Sequence, residues 1–407
     1  MQAAREVVCL SALDGGAGVA YKYAYHAAAT AAWRKPMKRL RVVVKVGSSS
    51  LVGPGGGVDA GRLGLVAHEA ASLRASGAEV VLVSSGAVAA GLGALGLRPG
   101  GVTLAERQAA AAVGQGRLVD AYREAFLPLG VEVAQVLLSR AELEHPSRVR
   151  HLRAALGALL RHGAMPIVNE NDTVAADEVK IGDNDTLAAI LAVVAGADLL
   201  VLLTDIDGFY DQDPRRVSGA RRIDVVEAWT PELQAAAGRP GSGVGTGGMR
   251  TKLSAARIAS AAGVDTVIAR TAQGVLKRVL EGEGVGTRFR AHPDPGPRHQ
   301  VWLRYGARPR GRLILDDGAA EAVQERQASL LLPGIKDCRG AFQAGDVVEL
   351  ATTADRVIAR GTAMLGAQDL MRWLARQDRP AGRAVRVVQH RTMVMAGREP
   401  GDGLEQG

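Results

Sequence analysis

MPIVNENDTVAADEVKIGDNDTLAAILAVVAGADLLVLLTDIDGFYDQDP, residues Met165–Pro214, decides how the rest of the chain is read. Two apolar runs, Met165–Val168 and Leu199–Leu203, stop abruptly in polar residues: Asn169-Glu170-Asn171-Asp172 after the first, Thr204-Asp205 after the second. Between them Gly182-Asp183-Asn184-Asp185 precedes an apolar helical stretch, Thr186–Val194, that Asn184 is placed to cap. In an open α/β sheet, ligands gather at the carboxyl ends of the strands. Three clusters of carboxylates and amides thus converge on one sheet edge, a placement that solubility does not explain.

Outward from this stretch, β and α segments alternate regularly. Strand-like runs at Arg41–Val46, Val80–Val83, Val133–Leu138 and Asp265–Ile268 alternate with helical spacing over Asp59–Ala75, Leu104–Phe126, Arg148–Arg161 and Lys252–Ala262. Continuous apolar strands linked by helices call for a mostly parallel sheet covered on both faces, a three-layer αβα sandwich. A proline-rich passage around Gly296–Gln300 reads as a linker. Beyond it, short strand-like pieces (Val301–Leu303, Arg312–Leu315, Asp346–Leu350, Val357–Gly361, Ala384–Met395) and one helical piece (Ala367–Ala375) indicate a small mixed β domain. The expected division is an N-terminal extension over 1–36, a catalytic domain over 37–286, a linker over 287–299, the β domain over 300–396 and a tail over 397–407. Residues 1–36 lack a clear period, and Met37 opens the first strand segment; the extension reads as disordered or as a start placed too early.

Composition narrows the function classes. A chain of 407 residues exceeds one ordinary core. The net charge of +8 is uneven, +4 over residues 1–40, zero over 41–297 and +6 over 298–396, so the catalytic body is neutral. Two distant cysteines, Cys9 and Cys338, imply neither a disulfide framework nor a zinc site and fit a reducing, cytoplasmic compartment. No apolar run approaches the roughly 20 residues that cross a bilayer.

Four turns carry chemistry. In VVVKVGSSS (42–50), Lys45 ends a buried strand, which is costly unless it meets an anion or snorkels to water. In VVLVSSGAVAAG (80–91), Ser84, Ser85 and Gly86 stand where a helix begins, as caps or as anion donors. Asp172, Asp183, Asn184 and Asp185 could bracket an ammonium or order a lysine. GSGVGTGGMRTK (241–252) is a loop suited to closing over phosphates, with Lys252 at the next helix start; it lacks the GK[ST] ending of a Walker A loop. Two lysines, an acidic group between them and N–H-rich turns suit phosphoryl transfer, which asks for charge neutralisation and in-line positioning.

These motifs, together with AAVGQGRL (111–118), NENDTVA and KIGDNDTLAAILA, resemble in order and spacing those of the glutamate 5-kinases within the amino acid kinase family. The resemblance runs from about Lys38 to about Met395 and is loose over 364–383. VWLRYGARPRGRLILDDGAA (301–320), SLLLPGI (329–335) and AGDVVEL (344–350) resemble a PUA domain. The resemblance implies ATP-dependent phosphorylation of the γ-carboxylate of L-glutamate, the first step toward proline. It implies catalytic roles for Lys45, Lys252 and Asp185, the aspartate orienting the lysines. Glutamate would be held by Ser85, Asp172 and Asn184, with Asn169 and Asp183 close by. The nucleotide would be held by Lys45, Thr204, Asp205 and the loop Thr246, Gly247, Gly248, Met249, Arg250, Thr251, Lys252. Mg²⁺ would ride on the ATP phosphates without a dedicated protein metal site. Proline as feedback inhibitor, a homodimer or homotetramer, and handover to glutamyl phosphate reductase are further implications. RNA is the alternative partner for the PUA-like domain, through Arg304, Arg308, Arg310 and Arg312.

Overall fold

The computed structural model describes residues 40–53, 57–98, 100–174, 184–230, 233, 248–375 and 385–396. The expected extension over 1–36, the tail over 397–407, Asp183 and the loop residues 241–247 lie outside the described residues.

The chain runs β1 (Arg41–Val46), α1 (Ala60–Ala75), β2 (Glu79–Ser84), α2 (Ala87–Ala94), α3 (Leu104–Phe126), β3 (Val133–Leu138), α4 (Arg140–Glu144), α5 (Pro146–Arg161), β4 (Met165–Glu170), α6 (Asn184–Ala195) and β5 (Leu199–Thr204). Short strands β6 (Phe209–Tyr210), β7 (Arg222–Ile223) and β8 (Val225–Val226) precede α7 (Met249–Ala261), β9 (Asp265–Arg270), α8 (Val275–Glu281) and β10 (Thr287–Phe289). Six parallel strands form the sheet β3-β4-β2-β1-β5-β9, continued by antiparallel β10 and then β8. Every residue of β4 and β5 is buried, which is why those strands read as unbroken apolar runs until their polar ends. Two cores flank the sheet. One gathers Val43, Val81, Val83, Leu200 and Leu202 with α6 and α7; the other gathers Val42, Val44, Val46 and Leu82 with α1 and α3.

The antiparallel β10 is locked by charge. Asp265, at the start of β9, accepts from Arg288 Nε at 3.0 Å, from Arg288 Nη2 at 2.5 Å and from the Ala291 amide at 2.7 Å. Burial alone would raise the Asp265 carboxyl, but Arg288, the Ala291 amide and Arg290 outweigh it and hold the group below its ordinary 3.8. The depressed folded value means that this stabilisation is present above about pH 4 and is lost as pH falls through the folded value. Asp265→Asn removes the carboxylate that faces the buried Arg288, and its melting temperature at pH 7 should fall by several degrees, on the order of 3 kcal/mol. The gap from the parent should narrow below about pH 4, as melting curves across pH would record.

The second unit follows α9 (Arg298–Tyr305): β11 (Gly311–Leu315), α10 (Asp317–Gln324), β12 (Leu330–Leu331), β13 (Ile335–Gly340), β14 (Val347–Ala351), β15 (Val357–Ala363), α11 (Ala367–Leu374) and β16 (Arg386–Met395). Its mixed sheet, β12-β16-β15-β14-β11-β13, closes over a separate core of Leu313, Val348, Leu350, Ile358 and Val387.

The fold departs from the sequence expectation at two places. Val301–Leu303 is helical: Val301, Trp302 and Leu303 pack into the α6 core, and Trp302 Nε1 donates to the Leu143 carbonyl at 2.6 Å. Tertiary packing overrides the weak β preference of Val-Trp-Leu. The stretch 287–299 is more than a connector, since it opens with β10 of the large sheet and closes with the first residues of α9. The two units also meet through His145 Nε2 and Asp346 Oδ1, 2.8 Å apart, and Arg304 Nη2 donating to the Met395 carbonyl at 3.0 Å.

Candidate active site

The carboxyl ends of β1, β2, β4 and β5 open onto the N-terminal turn of α6, and this is where the polar strand ends meet. Lys45, next to last in β1, extends its ammonium to Asp185 Oδ1 at 2.7 Å. Lys252, in the first turn of α7, reaches Asp185 Oδ2 at 3.1 Å. The Thr251 hydroxyl lies 2.8 Å from the same oxygen. Asp185 is fully buried and each lysine is only 6% exposed, so the trio holds a net charge of +1 in a dry setting. Burial by itself would raise the Asp185 carboxyl; Lys45 and Lys252, then the hydrogen bonds from Lys45 and Thr251, hold it below 3.8. Two lysine ammoniums converging on one carboxylate at the ends of parallel strands suit the phosphates of a nucleotide.

Next to the trio is a cluster of amides. Asn184 Nδ2 donates to the Ser84 carbonyl at 3.1 Å and lies 2.8 Å from Ser85 Oγ and 3.1 Å from Asn169 Oδ1. The expected capping role for Asn184 is therefore replaced by a bridge: it begins α6, and its side chain ties β2 to β4. Asn169 and Glu170 lie within β4, which continues two residues past the apolar run because their polar groups find partners there. Asp172 is half-buried beyond β4. Gly86, at φ +108°, makes the left-handed turn from β2 into α2 that a β-carbon would strain.

On the nucleotide side, Thr204 is buried at the end of β5, and its hydroxyl donates to Asp205 Oδ1 at 3.0 Å. Asp205 is exposed and 3.5 Å from Arg215 Nη2. Gly248 precedes α7, Met249 and Thr251 are half-buried, and Arg250 is exposed. Asp183, Thr246 and Gly247 fall outside the described residues. Lys45, Lys252, Asp185, Ser85, Asn184 and Asn169 are thus brought together, while Asp205 and Arg250 face solvent.

Gln115 escaped the sequence reading. It sits on the buried stripe of α3 that Ala111, Leu118 and Tyr122 define, where a polar residue at that spacing was the available signal. Its Oε1 accepts from Asn169 Nδ2 at 2.8 Å. Tyr122 is a second omission; its phenol lies 2.9 Å from Ser84 Oγ, and burial pushes it up against the lowering effect of that bond. Of the arginines considered for RNA, Arg304 is joined to Met395, and Arg312 is tied to Glu349 and Asp355 at 2.7 and 2.9 Å.

The profile of the amino acid kinase family matches residues 40–270, and that of the PUA domain residues 311–390. The chain belongs to the amino acid kinase family. Among curated relatives of this family member, the glutamate 5-kinase of Streptomyces coelicolor is 45% identical over 355 residues, 87% of this chain and 94% of the relative. Those of Pelobacter propionicus and Carboxydothermus hydrogenoformans are 44% and 46% identical, each match covering 82% of this chain and 89% of the relative. None of the helices among the described residues is long and apolar enough to cross a membrane.

Proposed function

We propose that this kinase acts on L-glutamate, moving the γ-phosphoryl group of ATP onto the substrate's γ-carboxylate to give ADP and L-glutamyl 5-phosphate, the first step toward proline. The named relatives support the activity, and the buried Lys45–Asp185–Lys252 trio is the observation that carries the mechanism. One carboxylate oxygen of glutamate forms the new O–P bond as the bond from phosphorus to the β,γ-bridging oxygen breaks. Glutamate's side chain, with an ordinary value of about 4.3, is already ionised at neutral pH, so no general base is needed. Lys45 and Lys252 would neutralise the charge spread over the transferring group, and Asp185 is a positioning residue that spaces them. Ser85, Asn184, Asn169, Asp172 and Asp183 would hold the amino acid; Thr204, Asp205 and residues 246–252 the nucleotide. Magnesium suits a site with an excess of cations if it arrives on the triphosphate, where it would neutralise phosphate charge; Mg²⁺ favours few protein ligands and several waters.

The first assay is ATP- and Mg²⁺-dependent hydroxamate formation from glutamate and hydroxylamine, with N-acetylglutamate and aspartate as alternative acceptors. Product from glutamate alone is expected, falling about 10²- to 10³-fold in Lys252→Ala. Product from another acceptor in place of glutamate would overturn the substrate assignment. The same reading makes L-proline a competitor at the glutamate site, checked by a rise in apparent KM for glutamate. It also makes the enzyme a homodimer or homotetramer passing its product to glutamyl phosphate reductase. Within the chain it sets the kinase unit from β1 through α9 and the PUA unit from β11, the latter consistent with the profile match at 311–390.

A further inference from the structure

A row of amides under the glutamate side of the site has its polarity set at both ends by the backbone. The Glu170 amide donates to Asn169 Oδ1 at 2.9 Å, so that atom is an oxygen and Asn169 Nδ2 faces Gln115. Gln115 must then present Oε1 to Asn169, 2.8 Å away, leaving Nε2 on its other side. At the opposite end, Asn184 Nδ2 faces the Ser84 carbonyl, an obligate acceptor, so Asn184 Oδ1 is turned away from it. The middle contact, Asn184 Nδ2 to Asn169 Oδ1 at 3.1 Å, agrees with both assignments. Two atoms are left over: Gln115 Nε2 and Asn184 Oδ1 are buried and find no partner among the described residues. Buried polar atoms are nearly always paired, so an unspent donor and acceptor at the two ends of one relay need an explanation.

We infer that Gln115 is a positioning residue for the amino acid substrate, holding Asn169, and through it Asn184, with the Asn184 carbonyl oxygen free to accept from the substrate's α-ammonium. This rests on the glutamate reading of the site. Reversing Asn169 would set its NH₂ against the Glu170 N–H and Asn184 Nδ2, so the relay has one self-consistent orientation. Gln115 supplies the acceptor that makes that orientation complete. Without it, Asn169 Nδ2 would be a buried donor with nothing to donate to, and the asparagine would be freed to turn. None of these bonds reaches Lys45 or Lys252, so the first effect of the change falls on the glutamate side.

The test is steady-state kinetics of the full-length enzyme with Gln115→Met, a near isostere without polar atoms, and Gln115→Glu, which keeps an acceptor toward Asn169. Gln115→Met should raise KM for glutamate about tenfold, the usual worth of one buried hydrogen bond. KM for ATP and kcat should stay within about twofold, because the binding lost is common to the ground and transition states. Gln115→Glu should recover most of the glutamate affinity. In an Asn169→Ala background, Gln115→Met should add no further penalty, since the relay is already cut. An unchanged KM for glutamate, an equal rise for both substrates, or penalties that multiply in the double variant would each overturn the assignment. If Gln115→Met does not fold, Gln115→Ala, alone and in the Asn169→Ala background, replaces it with the same expected and overturning outcomes. A parent that forms no hydroxamate from glutamate would remove the substrate reading itself, an outcome distinct from a normal parent with an unmoved variant.

Discussion

Asp185→Asn should lose catalysis while holding ATP at least as well as the parent. The substitution keeps the shape of the side chain and removes its charge, leaving Lys45 and Lys252, each only 6% exposed, as two ammoniums with no carboxylate between them. In the ligand-free protein this is unfavourable: separating a buried charge pair costs on the order of 3–5 kcal/mol, and part of it is recovered if a lysine gives up its proton. A triphosphate supplies the missing negative charge. Binding ATP should therefore raise the melting temperature of Asp185→Asn more than that of the parent. Turnover depends on the lysines' placement as well as their charge, so kcat should fall about 10²- to 10³-fold, the usual cost of one misplaced electrostatic contact. Because Asp185 is held below 3.8, it is ionised across the working range, and any loss of parental activity between pH 5 and 7 must come from another group. As pH falls through its folded value the parent should approach the variant. Thermal shift with and without ATP, beside kcat in both proteins, tests this; a kcat within a few-fold of the parent, or an ATP shift smaller than the parent's, would remove Asp185 from its positioning role.

The large sheet was legible because its inner strands, β1, β2, β4, β5 and β9, are almost wholly buried and therefore read as continuous apolar runs ending in polar residues. Met165–Glu170 and Leu199–Thr204 follow the expected runs, extended by Asn169 and Glu170 in the first and by Thr204 in the second. β10 was not legible: three residues, Thr-Arg-Phe, carry too little pattern, and its place is set by an ion pair with Asp265. Nor was α9, whose Val-Trp-Leu run is helical because α6 receives it. In the site, lysines at a strand end and a helix start announced themselves by the cost of burying them. Gln115 did not, because a glutamine on a long helix has a bland alternative in solvent, and its partner Asn169 lies on β4, 54 residues away. Asn184 looked like a cap since its spacing suits one; its partners Ser84, Ser85 and Asn169 come from two other strand ends that sequence distance hides.

The close packing of α2 on α3 makes Gly114→Ala, like Gly91→Ala, a methyl with no room to be accommodated. A β-carbon at Gly114 would stand 1.8 Å from the Ala87 carbonyl oxygen and 2.5 Å from the Gly91 nitrogen; one at Gly91 would stand 1.7 Å from the Ala110 carbonyl oxygen. The two glycines face each other's helices as backbone against backbone, so no side chain can swing aside and the helices themselves must part by more than 1 Å. Overpacking usually costs about 1–3 kcal/mol, and a rigid obstacle puts this case at or above the top of that range. For a domain of this size that corresponds to a melting temperature lower by roughly 6–12 °C. Gly116, one position beyond Gln115 on the same helix, is the control. Nothing lies within 4 Å of a β-carbon there, so Gly116→Ala should gain about 0.5–1 kcal/mol from helix propensity alone. The two substitutions are chemically identical and opposite in sign, which separates sterics from propensity. Function should follow stability at only one of them: α2 starts immediately after Ser85 and Gly86, and α3 carries Gln115, so parting the helices pulls both ends of the glutamate side. Gly114→Ala should raise KM for glutamate while Gly116→Ala leaves it unchanged. Equal melting temperatures for the two variants would mean that the helices are not in backbone contact at this crossing.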